Sequence, residues 1–180
     1  MTTRSPRPVT KGSRLAIVAP AGPFDHEAFQ EGVSWLRERY EITHSPEIFS
    51  TEGYFAGSDQ HRLGELNAAI ADPEVDAILC ARGGYGTTRL LPGIDLSQVA
   101  QSNKMVIGFS DITALHSLWA SQEVRSIHAP MVAALSKASD TIRQLWINAL
   151  EDPGATLQWD LASLNSFSQE AEGTLIGGNL

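Results

Sequence analysis

Apolar residues in this chain fall into two alternating rhythms. Short unbroken runs, LAIVA at 15–19, VDAILCA at 75–81 and KMVIGF at 104–109, have the length and β-branched content of buried strands, and each gives way to a loop. The segments between them carry a helical period. Asp25 offers an N-cap to a helix in which Phe29, Val33 and Leu36 recur on one face through Glu38, and Ser58 offers a cap to one marked by Leu63, Leu66 and Ile70. That second helix is predicted to stop at ADP, because Pro73 disfavours a helical residue before it.

Weaker signals fill the remainder. The spacing predicts a short strand at 41–44, a short helix near 87–91, a helix over 112–122 with Ile112, Leu115 and Trp119 on one face, a strand in VRSIHAPMV at 124–132 interrupted at Pro130, and a helix from about 140 to 150. Strands alternating with helices of this length imply an α/β fold: a mostly parallel open sheet with helices on both faces. The organisation expected is a basic tail over residues 1–13, an α/β domain over 14–160, and a linker with the start of a further domain over 161–180. Strand-like pieces mixed with polar turns fill the last 26 residues, and GGNL reads as the start of another apolar segment, so the chain is expected to continue.

Composition narrows the function. The 180 residues suit one ordinary domain with its own core, and no apolar run approaches the roughly 20 residues of a bilayer span. The N-terminal stretch is basic but has no apolar segment of a secretory signal, so a cytoplasmic location and no membrane partner are expected. A net charge of −8 without a Lys/Arg cluster argues against nucleic acid. The one cysteine, Cys80, has no basic neighbour to favour a thiolate and reads as a small buried hydrophobe.

In an open α/β sheet ligands bind beyond the carboxyl ends of the strands, which directs attention to PAGP (20–23), RGGYG (82–86) and FSD (109–111). A serine at a tight turn from strand into helix can be an ordinary N-cap or a nucleophile on an elbow that lifts its hydroxyl above the sheet. Ser110 is open to both readings, since Ile112 stands where the usual elbow has a second glycine. RGGYG can bring backbone N–H groups to an anion, but matches neither a phosphate loop nor a dinucleotide fingerprint. A serine hydroxyl needs a positioned base. His116 lies six residues on along the helix and cannot easily reach back; His26, His44 and His61 are expected to be solvated; His128 ends a strand on the functional edge, as a structural group or a base. No carboxylate is clearly placed to orient it, and no metal-ligand spacing occurs.

The segments YFAGSDQHRLGELNAAIADPEVDAILCARGGYGTTRLL, VIGFSDITALH, IHAPMV and GTLIGGNL, in this order, resemble the N-terminal portion of the LD-carboxypeptidases, serine peptidase family S66, from about residue 14 to 180. The resemblance implies a flavodoxin-like domain with a nucleophile elbow that presents Ser110 as nucleophile, and the backbone N–H groups of Asp111 and Gly84 as an oxyanion hole. Arg82, Gly83, Tyr85 and His128 are candidate substrate contacts. It further implies a triad completed by a glutamate and a histidine beyond Leu180, no metal or other cofactor, and a homodimer in the full-length form. The implied reaction releases terminal D-alanine from cytoplasmic murein tetrapeptides, with negligible hydrolysis by these 180 residues alone. Ala129 departs from the glycine common in relatives. Two other readings stand beside it: a microcin-immunity-type serine peptidase, and a noncatalytic peptide- or sugar-binding module.

Overall fold

A computed structural model of the protein describes residues 9–152, 172–173 and 175–179. Five parallel strands form one open sheet: β1 (Arg14–Val18), β2 (Glu41–His44), β3 (Ala77–Cys80), β4 (Met105–Gly108) and β5 (Ile127–His128), in the order β2-β1-β3-β4-β5. This is the doubly wound, flavodoxin-like order, and its switch point falls between β1 and β3.

Alternation along each strand divides the core. Leu15, Ile17, Leu79 and Ile107 face α1 (His26–Arg37), α5 (Val132–Leu135) and α6 (Asp140–Glu151), burying Phe29, Val33, Leu36, Leu135 and Trp146. Ala16, Val18, Ile78, Cys80 and Val106 face the other way, onto α2 (Asp59–Ala71), α3 (Leu96–Ser102) and α4 (Thr113–Ser121), with Leu66, Ile70, Val99, Leu115 and Trp119. The central strands β3 and β4 are buried on both faces, which is why their sequences are continuous apolar runs rather than alternating ones. Cys80 is fully buried and its thiol is pushed up by that burial, away from thiolate chemistry.

The caps fall where expected. Asp25 accepts the N–H of Ala28, and Ser58 that of His61. At the other end of α2 the buried Lys104 donates from Nζ to the carbonyls of Ala69, Ile70 and Asp72, satisfying acceptors the helix terminus leaves open.

Several expectations need correction. The strand anticipated at 124–132 shrinks to Ile127–His128, an edge strand paired only to Ile107 and Gly108; Pro130 has no N–H to continue the ladder, and Val132 opens α5. The helix near 87–91 is two 3-10 turns, Thr87–Arg89 and Leu91–Gly93. Helix α3 carries no long apolar period, burying Val99 alone; its signals are the Asp95 cap, accepting from Ser97 and Gln98, and the left-handed Asn103 that ends it. Of the histidines expected in solvent, His26 is exposed, but His44 packs its ring against Phe29 and His61 lies partly buried beside Glu65. Within the stretch read as a tail, Val9 is buried in the core and residues 1–8 lie outside the described residues. So do most of the strand-like pieces expected after residue 154.

Candidate functional site

Strand β4 delivers the chain to the carboxyl edge of the sheet, where Phe109 is still extended and Ser110 turns to φ +64° before the 3-10 turn Ser110–Ile112 leads into α4. A non-glycine residue in this region costs energy, so the turn is held from outside. Gly108 makes the first contribution. A Cβ there would come within 2.9 Å of the Ile112 side chain, which is wholly buried. The absent second glycine is thereby accounted for: the space between the two arms of the elbow is all conceded by Gly108, and Ile112 fills it.

Ser110 itself donates its N–H to Asn179 Oδ1 at 2.8 Å, while its hydroxyl makes no hydrogen bond among the described residues. The Asn179 N–H in turn donates to Thr113 Oγ1 at 3.0 Å, and Gly178 lies so close to Thr113 that no side chain fits there. The short segment 175–179 thus clasps the elbow and the start of α4.

The glycine loop comes in from β3. Gly83 abuts the serine, a Cβ at Gly83 falling 2.9 Å from Ser110 Cβ and 3.1 Å from its Oγ. Gly84, at φ +127°, passes so near Gly22 that a Cβ would sit 3.1 Å from the Gly22 backbone, and the Gly22 N–H donates to the Gly83 carbonyl at 3.1 Å. Loops 20–23 and 82–86 are therefore zipped together beside the serine, with room only for glycine. The backbone N–H groups of Gly84 and Asp111 donate to nothing among the described residues.

Asp111 has a role that local reading misses. Its carboxylate does not cap its own helix; it accepts the N–H of Thr87 at 2.8 Å and so caps the 3-10 turn that follows the glycine loop. One residue therefore joins the elbow to the loop from β3. On the far side of that loop Tyr85 is 64% exposed and stacks on Phe55, whose ring is flanked by the guanidinium groups of Arg62 and Arg89. Arg62 is fully buried and donates to the Pro20 carbonyl and to Asp59, which also holds Arg89.

The two histidines of this region are neighbours, with ring centroids 5.9 Å apart. His116 Nε2 lies 2.9 Å from the Gly108 carbonyl, so that nitrogen carries the proton and Nδ1, buried and without a partner, carries the lone pair. Burial, and then the proximity of His128, hold the His116 pKa below its ordinary value despite the Gly108 contact, keeping the ring neutral. His128 is exposed, with Nε2 3.3 Å from Asn179 Oδ1. It reaches the elbow through Asn179 and the Ser110 N–H, with no bond to the Ser110 hydroxyl.

Two cavities flank the elbow. One of about 410 Å³ brings together Ser110, Asp111 and Gly84 with Thr88, Thr113 and Asn179. The other, about 610 Å³, opens toward α1 and contains Arg82, which the chain turns away from the first. Thus Ser110, Asp111 and Gly84 share a cavity and Gly83 is wedged against the serine, whereas Arg82 lines the other cavity, Tyr85 packs on Phe55, and His128 is linked to the elbow through Asn179. Asn179 and the Asp111 carboxylate were not foreseen; the only signal was that GGNL and SD lie in recognisable segments. Among the described residues no group of three His, Cys, Asp or Glu side chains could hold a metal ion.

Comparison with known proteins adds the following. The family model described as the LD-carboxypeptidase N-terminal domain, peptidase S66, matches residues 15–129. A putative carboxypeptidase of Streptomyces coelicolor is 40% identical over 72% of this chain and 44% of its own length. A probable murein peptide carboxypeptidase of Bacillus subtilis is 32% identical over 97% of this chain and 57% of its own. The chain spans about half the length of the curated relatives it matches. Among solved structures, a muramoyltetrapeptide carboxypeptidase of Oxalobacter formigenes superposes with a TM-score of 0.72 at 27% identity, covering 78% of this chain and 49% of that one. An MccF-like protein of Bacillus anthracis gives 0.75 at 24% identity, covering 81% and 46%, a likeness of fold.

Proposed function

The chain belongs to the peptidase S66, LD-carboxypeptidase, family, and from that premise we propose that it is the nucleophile-bearing half of a serine carboxypeptidase that releases terminal D-alanine from murein tetrapeptides in the cytoplasm. The observation that carries this reading is the left-handed Ser110, with a hydroxyl bonded to nothing among the described residues. An N-cap would have spent that hydroxyl on its own helix.

In the proposed reaction Ser110 Oγ attacks the carbonyl of the scissile amide as a base takes its proton. Negative charge then develops on the carbonyl oxygen, and the N–H groups of Gly84 and Asp111, fixed on two different loops, hold it. Loss of one such donor typically costs about 2.7–4 kcal/mol of barrier stabilisation. Collapse of the tetrahedral species expels the amine of D-alanine, which takes up the proton, and leaves an acyl ester on Ser110. Water activated by the same base then hydrolyses that ester and restores the serine. The base and its orienting carboxylate are proposed to be a histidine and a glutamate in a segment following residue 180. His128, held off the hydroxyl by Asn179, is not assigned this part.

Two measurements test the proposal. Sequencing the gene in frame past the Leu180 codon should reveal a further segment carrying Glu and His. In the chain that includes it, a fluorophosphonate should label Ser110, D-alanine should be released from the tetrapeptide, and Ser110→Ala should abolish both. The 180 residues alone should release D-alanine at a rate lower by several orders of magnitude, as hydrolases do when the base is lost. Robust turnover by the 180 residues, or a longer chain in which Ser110 resists the phosphonate, would defeat the assignment.

A further inference from the structure

The cavity on the α1 side of the elbow holds an arginine whose charge the fold has not used. Arg14 and Arg39 pair with Glu41 and Glu151, and Arg62 and Arg89 share Asp59. Arg143 donates to the Leu135 and Ser136 carbonyls, as Lys104 does to the end of α2. Arg82 differs. It meets no carboxylate among the described residues, and its one hydrogen bond there is to the Pro23 carbonyl. In a chain with 21 acidic residues against 13 Lys and Arg, a guanidinium with most of its donors idle in a cavity is a feature to explain.

The walls of that cavity are otherwise apolar: Phe24, Phe109, Met131 and Ala133 line it, and its volume of about 610 Å³ exceeds what one amino-acid residue needs. Phe109 immediately precedes the nucleophile, and Arg82 immediately precedes the glycine wedged against it. The other charged group present is Asp25, with Oδ1 engaged in capping α1. Its negative charge works against an anion in the same space, so a carboxylate held there has to be met directly by the Arg82 guanidinium.

We infer that Arg82 is the anchor for the free α-carboxylate of the residue to be released, and that the Phe24, Phe109 and Met131 walls take its small apolar side chain. The inference rests on the carboxypeptidase reading above, and it gives that reading its requirement for a chain end. In such a substrate only the amide nitrogen and one Cα separate the scissile carbonyl from the terminal carboxylate, so the anion must be met within about 3.8 Å, one residue's length, of the reacting carbon. Arg82 immediately precedes the glycine that abuts Ser110 and lines the cavity next to the elbow, and a guanidinium fits a carboxylate with two parallel N–H···O bonds.

The test is binding, which these 180 residues can report without turnover. Titration calorimetry would compare a murein tetrapeptide ending in D-alanine with the same peptide ending in D-alanine amide. The acid should bind roughly tenfold or more tightly than the amide, the usual worth of a charge-assisted pair. Arg82→Gln should bring the acid down to the level of the amide and leave the amide unchanged, and Arg82→Lys should fall between. Equal binding of acid and amide, no binding of the acid at millimolar concentration, or a preference for the acid that survives in Arg82→Gln would each overturn the inference. Melting temperature checks that the variants fold; if Arg82→Gln does not, the acid-to-amide ratio of Arg82→Lys decides. Failure of the hydrolase reading is distinguishable, since an unreactive Ser110 combined with Arg82-dependent recognition of the acid would leave a carboxylate-binding domain, whereas a reactive Ser110 without acid preference removes Arg82 alone.

Discussion

Ser58 and Ser110 both stand where a loop turns into a helix, and the chain uses them in opposite ways. Ser58 takes extended dihedrals, φ −63° and ψ 158°, and spends its hydroxyl on the His61 N–H; Ser139 does the same for Ile142 ahead of α6. Ser110 is left-handed, caps nothing, and keeps its oxygen free beside Gly83. The first arrangement is locally favourable and needs no support. The second is locally unfavourable and is surrounded by supports: Gly108 yields space to Ile112, Asn179 takes the Ser110 N–H, and the Asp111 carboxylate ties the turn to Thr87. Identical residue types at two helix starts therefore differ in whether the hydroxyl is spent on a cap or left free, and the difference follows the backbone angle.

The widest gap between the two sites should come from a β-branched residue. Ser110→Val places such a side chain at φ +64° and should destabilise by about 2–3 kcal/mol, whereas Ser58→Val forfeits a cap worth about 1 kcal/mol. Urea denaturation of the two variants reads the difference, and coincident midpoints would erase the contrast. Alanine should reverse the ranking. Ser58→Ala and Ser139→Ala should each cost about 1 kcal/mol, a fall in Tm of roughly 2–4 °C, while Ser110→Ala, with no cap bond to lose, should melt with the parent.

This contrast was only half legible in the sequence. The buried strands, the Asp25 and Ser58 caps and the position of Ser110 at a strand-to-helix turn follow from periodicities and residue types that span a few positions, and the structure has them within a residue or so. What local pattern does not carry is partnership at a distance. Asp111 and Thr87 are 24 residues apart, Ser110 and Asn179 are 69, and nothing in SDI or GGN taken singly says that they meet. Ile112 was misleading for the same reason: measured against a motif it is a missing glycine, and measured against Gly108 it is a filled space. The strand at β5 is expected too long and the short α3 is missed, because edge pairing and a single buried Val99 leave almost no period to detect.

The two regions should also differ in the sign of their response to pH. Behind the elbow, burial lowers the pKa of His116. Above about pH 6.5 both folded and unfolded chains carry it neutral; below that the unfolded chain takes up a proton that the folded one resists, so its contribution to stability is lost as pH falls. On α2, burial raises the pKa of Glu65, although the His61 ring, 3.4 Å away, favours its ionised form. The folded chain there holds its proton more tightly than the unfolded one, so stability is lost as pH rises through the raised value. Relative to the parent, Glu65→Gln should gain in Tm between pH 4.5 and 7.5 and His116→Gln should gain between pH 7.5 and 5. Parallel slopes in thermal melts would show that the two sites are not differently solvated.

The smallest effect is the most discriminating. Ser110→Gly removes the clash between a Cβ and the backbone at φ +64° but gives the unfolded chain more freedom to lose, and these partly cancel. Strain relief of about 1 kcal/mol against an entropic cost of roughly 0.5 kcal/mol leaves a net gain near 0.5 kcal/mol, or a rise of one to two degrees in Tm. The same change at Ser58 loses the cap oxygen with no strain to relieve, so its sign should be negative by a few tenths of a kcal/mol. A residue whose removal stabilises the protein is held in place by something other than stability, and at Ser110 that is the hydroxyl beside Gly83. Should Ser110→Gly instead destabilise as Ser58→Gly does, the left-handed turn would be an ordinary part of the fold, and its backbone angle would carry no sign of chemistry.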